Sequence, residues 1–235
     1  LSFDNPARRN ALGATELAAI DAALDALEPA TRVLVITSSD DRIFCAGADL
    51  SQILEGVISG ARFQSVTNRI AALPIPTIAV LTGNVFGGGA ELALSCDFRI
   101  GRAGVILRIP AAAIGLCYQV EGIERLTRRL GPNLCKRLLV AAETFSSEQL
   151  LAHQLLDSVH SAAEVRGAAQ AYAETLLKLA PLSVSTMLDM IRQIEVGTYV
   201  RADAEARAKL CADSDDLQEG IRAQREKRTP VFHGR

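Results

Sequence analysis

This sequence predicts an α/β fold closed by a helical C-terminal region, and three features carry that expectation. Short β-branched runs end in small residues and open helical stretches. The order strand, turn, helix recurs along the first half of the chain. From Gly131 onward the pattern turns almost wholly helical.

Leu17, Ile20, Leu24 and Leu27 recur at helical spacing across residues 14–28, with Pro29 as the stop, and predict an amphipathic helix. Val33-Leu34-Val35-Ile36-Thr37 has the β-branched character of a buried strand and leads into the turn Cys45-Ala46-Gly47-Ala48-Asp49. A helix over 61–73 follows, broken by Pro74 and Pro76. Thr77-Ile78-Ala79-Val80-Leu81 predicts a second buried strand, running into Gly83 and then Gly87-Gly88-Gly89, where a helix over Ala90–Ser95 opens. Shorter strands are expected at Phe98–Ile100 and Val105–Arg108, then a helix over Glu121–Leu130 ended by Gly131. Ser146-x-x-Gln149 and Ser161-x-x-Glu164 are capping boxes, the second expected to open a helix to Lys178. Pro181 fits the first turn of another helix, and charge-rich helices are expected over 201–228. Residues 1–180 are thus the expected core, and 181–235 an appendage too small to stand alone, which has to dock on the core or on a neighbouring subunit.

The composition admits this fold and excludes several functions. A chain of 235 residues, 49% hydrophobic and 22% charged, can bury an ample core without disulfide or metal. Its 25 basic and 27 acidic residues create no global field, so neither nucleic acid nor an anionic membrane is an expected partner. Five scattered cysteines without a C-x-x-C pair suit reduced thiols and a cytoplasmic setting. His153, His160 and His233 have no ligand spacing, so no metal is expected. The longest apolar stretch, Ile109–Val120, contains Pro110 and Gln119 and falls short of the roughly 18 residues of a spanning helix. The opening Leu-Ser-Phe-Asp shows no signal-peptide pattern.

Two junctions could carry chemistry: Phe44-Cys45-Ala46-Gly47-Ala48-Asp49 and Gly83-x-x-x-Gly87-Gly88-Gly89-Ala90-Glu91. Small residues let a ligand approach the backbone, and unpaired N–H groups at a helix start attract negative charge. Side by side, the two could aim two donors at one oxygen, the geometry of an oxyanion hole. The alternative is that the triple glycine only permits tight packing, and that Glu91 is a carboxylate favoured by the helix dipole. Neither G-x-x-x-x-G-K-[ST] nor G-x-G-x-x-G occurs.

Five ordered motifs resemble those of the crotonase superfamily, the enoyl-CoA hydratase/isomerase family. They are Asn5-Pro6 with Asn10-Ala11-Leu12, Ala46-Gly47-Ala48-Asp49-Leu50, Pro76 through Gly83 to Gly87-Gly88-Gly89-Ala90-Glu91-Leu92-Ala93, Arg125-Leu126-Thr127-Arg128 with Gly131, and Glu226-Lys227-Arg228-x-Pro230-x-Phe232-x-Gly234-Arg235. The resemblance runs end to end apart from the family's first strand or hairpin. It implies a spiral of repeated ββα units, a C-terminal helical region that builds trimers or hexamers, and an acyl-CoA thioester as ligand, with coenzyme A part of the substrate and no separate cofactor. It also implies that the N–H groups of Ala48 and Gly88 hold the thioester oxygen and stabilise an enolate, at roughly 3–4 kcal/mol per donor. By the same resemblance Ala46, Asp49 and Leu50 line an adenine pocket, Arg8 helps to hold CoA phosphates, and Lys227 approaches from a neighbouring subunit.

The departures bear on the reaction. Hydratases of this family use two glutamates; one matches Glu91, but the other falls on Ala111, after Pro110. Another acid position used by some relatives falls on Gln119, and the family's aromatic before the final Lys is Gln224. Glu121 and Glu124 are near in sequence, Glu124 with the character of a solvated face residue. Each general acid or base contributes about 10²–10⁴-fold, so a missing carboxylate slows hydration without abolishing binding. The expected activity is that of an enoyl-CoA hydratase/isomerase family enzyme with Glu91 as its single acid/base. Acyl-CoA decarboxylation or thioester hydrolysis on the same scaffold, and a catalytically weak acyl-CoA-binding protein, are the alternatives.

Overall fold

The computed structural model describes Leu1–Arg235. Its strands are β1 (Ser2–Phe3), β2 (Leu34–Ser38), β3 (Ile43–Cys45), β4 (Thr77–Leu81), β5 (Asn84–Phe86), β6 (Phe98–Arg102), β7 (Ile106–Arg108), β8 (Thr144–Ser146) and β9 (Ser158–His160). The larger sheet has the order β1-β2-β4-β6-β9 and the smaller β3-β5-β7-β8. Every pairing is parallel except β7 with β8. The pairs β2/β3, β4/β5 and β6/β7 therefore each give their first member to the larger sheet and their second to the smaller, with helices between pairs. This is the expected spiral of ββα units.

The helices are α1 (Ala14–Asp25), α2 (Leu50–Leu54), α3 (Gly60–Ala71), α4 (Gly88–Ser95), α5 (Val120–Cys135), α6 (Ser147–Ala152), α7 (Val165–Leu177), α8 (Pro181–Val196), α9 (Arg201–Ala212) and α10 (Asp215–Glu226). β4 is buried on both faces, which is why its sequence is a continuous apolar run without alternation. Ile78 and Val80 face α7, where Val165, Ala169 and Ala173 meet them, while Ala79 and Leu81 face the main core with Phe44 and Leu92. Burying a side chain of this size stabilises by about 1.5–3 kcal/mol.

Several boundaries depart from the expected ones. α1 ends at Asp25 rather than 28: Leu27 is held by a tighter turn, its N–H donating to Leu24 at 3.4 Å, while its side chain still packs on the core. Gly131 (φ 75, ψ 159) breaks α5 without ending it, because Pro132 starts a new turn. Ser161 and Glu164 do pair, Oγ to Oε2 at 2.6 Å, yet they close a turn after β9, and α7 begins only at Val165. That turn redirects the chain so that α7 can cover β4 and β6. Residues 201–228 split at Ser214, whose hydroxyl accepts from Leu217 N at 3.1 Å and caps α10.

Past residue 181 the chain is three helices and a short tail. α8 is anchored to the sheet by Arg192, whose Nη2 donates to both oxygens of Asp97 at 2.9 and 3.0 Å. Asp97 in turn accepts from Thr77 N and Oγ1 at the start of β4. The tail folds back on α10, where Asp216 accepts from His233 N and Gly234 N. Met187, Ile191 and Ile194 form an exposed stripe along α8.

One close approach sets the spacing of the smaller sheet. A Cβ at Gly83 would stand 2.3 Å from Ile43 N and 2.4 Å from Arg42 C, and Asn84 N donates to Arg42 O at 2.8 Å beside it. Gly83→Ala therefore forces β3 away from β5, and urea denaturation should show a loss of about 1–3 kcal/mol.

Candidate active site

Because Ile43 pairs with Asn84 and Cys45 with Val85, the segments after β3 and β5 leave the sheet as neighbours. Gly47 takes φ +90, and a Cβ on it would stand 2.6 Å from Gly88 N and 2.9 Å from Phe86 O. A side chain there is excluded both by conformation and by space. Beneath the turn, Cys45 Sγ lies 3.3 Å from Gly47 N and 3.2 Å from Asn10 O. Burial pushes the Cys45 thiol up to about 12, so it packs and bonds as a neutral group.

Leu12 fixes the first turn. Its N–H donates to Gly47 O at 2.8 Å and its carbonyl accepts from Asp49 N at 3.0 Å, a parallel bridge centred on Ala48. In such a bridge the central residue turns its own N–H away from the partner strand. The Ala48 amide accordingly has no acceptor in the chain. The Gly88 amide has none either, standing at the first position of α4, where helix geometry leaves N–H groups unpaired. Ala48 and Gly88 line one cavity of about 110 Å³, with Ile53, Phe63 and Leu116 among its apolar walls. The Phe63 ring lies against Gly88, where a Cβ would come within 2.5 Å of it.

Glu91 reaches this cavity from the first turn of α4. It is 3% exposed, and its Oε1 accepts from Thr67 Oγ1 at 3.1 Å and from Arg125 Nη1 at 3.4 Å. Arg125 also donates to Ser95 Oγ at 3.0 Å and to Asn68 Oδ1, so α3, α4 and α5 meet at one ion pair. Burial lowers the Arg125 pKa and the Glu91 charge opposes that shift.

Tyr118 is the cavity group that sequence reasoning missed. Its hydroxyl lies 3.4 Å from Gly87 O and beside the Glu91 carboxylate; burial, then the Glu91 charge, push its pKa well above the usual tyrosine value. Gly122 backs both: a Cβ there would stand 3.1 Å from Glu91 Oε1, 3.1 Å from Tyr118 Cε1 and 3.2 Å from Gln64 Oε1. Gln64 is buried, and that oxygen has no hydrogen-bond partner. Tyr118 sits in an uncharged run with no periodic signal; Arg125 stood in a motif, without an assigned role.

The remaining expected residues divide between this cavity and other places. Ala46 and Leu50 line it, as do Ala111 and Gln119. Asp49 is buried with its carboxylate capping α2, accepting from Ser51 N at 3.1 Å and Gln52 N at 3.3 Å, and paired with the half-exposed Arg8. Lys227 is exposed at the C-terminal cap of α10, outside the cavity lining. Glu121 bonds Asn68 Nδ2 at 2.8 Å and Glu124 pairs with Arg128, both on a separate groove beneath α8. Glu91 is thus the only carboxylate among the cavity's lining residues.

Chemically, the arrangement gathers two unpaired amides, one carboxylate and one phenol around a half-open, mostly apolar pocket. Removing Arg125 would leave the Glu91 charge buried without a counter-ion, a change that costs about 3–5 kcal/mol in comparable pairs. Arg125→Gln should lower the unfolding free energy at pH 7 by an amount in that range, measured by denaturant titration.

The enoyl-CoA hydratase/isomerase family model matches residues 1–235. The chain is 32% identical to the crotonyl-CoA hydratase of Syntrophomonas wolfei, over 99% of this chain and 93% of that protein. It is 31% identical to the carnitinyl-CoA dehydratase of Salmonella enteritidis, over 88% of this chain and 84% of that one. Among solved structures, an enoyl-CoA hydratase from Bacillus anthracis superposes with a TM-score of 0.89 at 25% identity, covering 100% of this chain and 94% of the other. The continuous ββα spiral, the paired turns and these matches together place the chain in the enoyl-CoA hydratase/isomerase family.

Proposed function

We propose that the protein hydrates the double bond of a short 2-enoyl-CoA thioester, or runs the reverse dehydration, by stabilising an enolate. The observation that carries this reading is the pair of partnerless amides at Ala48 and Gly88, two residues that line the cavity holding Glu91. With the thioester oxygen between the two amides, electron density arriving at that oxygen meets two donors in a mostly apolar pocket. Glu91 takes a proton from water as the water oxygen bonds to Cβ, the role open to a buried carboxylate paired with a cation. The similarity to a crotonyl-CoA hydratase and a carnitinyl-CoA dehydratase supports a hydro-lyase reaction on a CoA thioester, and the cavity volume suits a short acyl chain.

Coenzyme A enters as part of the substrate. Resemblance to the family assigns Ala46 and Leu50, which border the cavity, to its adenine end, and Asp49 supports that segment by capping α2. Arg8, half-exposed beside Asp49, is the cation available for the phosphates on this chain. Lys227 would act only across a subunit boundary. The stripe of Met187, Ile191 and Ile194, together with exposed Leu210 on α9 and Leu217 and Ile221 on α10, supports assembly through the C-terminal helices. Ala111 in place of a second carboxylate favours a runner-up: decarboxylation of a malonyl-type thioester, which needs a polarised carbonyl and one proton donor.

Short 2-enoyl-CoA thioesters incubated in D₂O should gain one water, read by mass spectrometry, and Glu91→Gln should abolish that gain while leaving thioester binding intact. A shifted double bond without added water would make the enzyme an isomerase, and loss of carbon dioxide from a malonyl-type thioester that survives Glu91→Gln would establish the runner-up. Sedimentation equilibrium should give three or six times the 25.0 kDa chain mass, and a monomer would remove the assembly reading.

A further inference from the structure

We propose that Tyr118 is the second proton-carrying group of the site, relaying a proton between Glu91 and the substrate α carbon in place of a second carboxylate. The inference rests on the hydration reading above and completes its chemistry. Glu91 alone must take a proton from water at Cβ and deliver one to Cα, two positions on different atoms of the substrate. A fixed carboxylate 3% exposed, held by Thr67 and Arg125, has little freedom to serve both.

Tyr118 has the placement for the missing half. It lines the same cavity as the Ala48 and Gly88 amides, so its side chain borders the space the acyl group would fill. Its hydroxyl donates to Gly87 O at 3.4 Å, the carbonyl at the head of α4, and its ring shares the Gly122 surface with the carboxylate that projects from the first turn of that helix. Gly122 shows how tightly they converge, since one added carbon there would reach Glu91 Oε1 and Tyr118 Cε1 at 3.1 Å each. Where the hydratase pattern would place an acid, Ala111 offers none, and Gln119 presents an amide that carries no transferable proton at neutral pH. The charged groups around the phenol are Glu91 on α4 and Arg125 on α5; burial and the Glu91 charge keep it protonated, the form a donor requires.

The proton balance closes. Water bonds to Cβ through oxygen and gives one proton to the Glu91 carboxylate. The Cα–Cβ π electrons move to the thioester oxygen as an enolate at the two amides. The enolate then re-forms the carbonyl as Cα takes the Tyr118 proton, and Tyr118 takes the proton held by Glu91. Both side chains end as they began, and the product carries one added water.

The test uses full-length protein with two probes. Crotonyl-CoA reports hydration, and butyryl-CoA, which has no double bond, reports exchange of the α hydrogen in D₂O. Tyr118→Phe should bind butyryl-CoA within threefold of wild type while kcat for hydration falls by about 10²-fold or more and α exchange falls with it. Tyr118→Leu, lacking the phenol in a different shape, should show the same losses. A folded variant of either kind that hydrates or exchanges within threefold of wild type would overturn the relay and leave the hydratase reading standing. If the wild-type protein binds both thioesters yet neither hydrates nor exchanges, the hydratase reading itself fails, and the relay falls with it.

Discussion

The contact between the backbones of Gly47 and Gly88 is the constraint on which the rest of this molecule depends. It brings Ala48 and Gly88, from distant parts of the sequence, to the lining of one cavity, and it leaves no room for a single extra carbon. Holding the two turns at that separation takes support from three sides. The register of β3 against β5 brings the segments out together. Gly83 lets Arg42 and Ile43 approach closely. Asn10, 1% exposed, donates through Nδ2 to Ser38 Oγ and to the carbonyls of Ile43 and Phe44, tying the N-terminal segment to β3 just before the turn. Leu12, two residues on, then clamps Ala48. These bonds are local consequences of the ββα spiral, because alternation of strands between sheets is what makes β3 and β5 neighbours despite the residues between them.

The second constraint is electrostatic. A buried carboxylate is costly unless paired, and Glu91 is satisfied by the start of α4, by Thr67 from α3 and by Arg125 from α5. Arg125 is itself largely buried and is held by Ser95 and Asn68, so the ion pair is braced and its position reproducible from one turnover to the next. The same elements pack the core through Val66, Ile70, Leu92 and Leu126. Stability and site geometry thus share one set of contacts, and the apolar stems around the pair keep water from screening it.

Much of this was legible in the sequence where chemistry and local geometry coincide. β4 and α4 follow from a β-branched run and a glycine-rich helix start, and the two turns announce themselves as small residues after strands. β3, β5, β8 and β9 were not legible as separate elements, since strands of three residues carry almost no periodic signal and are fixed by pairing with neighbours far along the chain. Asp49 shows the other limit. Its motif suggested a ligand contact, whereas its carboxylate is taken up by capping α2 and by Arg8, a local demand visible only once the helix is built. Tyr118 lies in an irregular segment between a 3₁₀ turn and α5, where no spacing rule applies, and its meaning depends wholly on being folded against Glu91.

That placement changes how the absence of a carboxylate at Ala111 is understood. Two carboxylates sharing a small apolar cavity repel, and one must hold a proton for the pair to be tolerated. Here the cavity's only carboxylate is already matched by Arg125, so the site is close to neutral before any reaction. An enolate forming at the two amides takes over the negative charge that Glu91 gives up as it is protonated, and no second carboxylate stands there to repel it. A neutral phenol can then serve proton transfer at no electrostatic cost to that anion, provided it keeps its proton until carbon requires it. The burial and the Glu91 charge that raise the Tyr118 pKa enforce this order. The absence of an acid at 111 and the partial burial of the phenol at 118 are therefore two parts of one charge arrangement around the amides of Ala48 and Gly88.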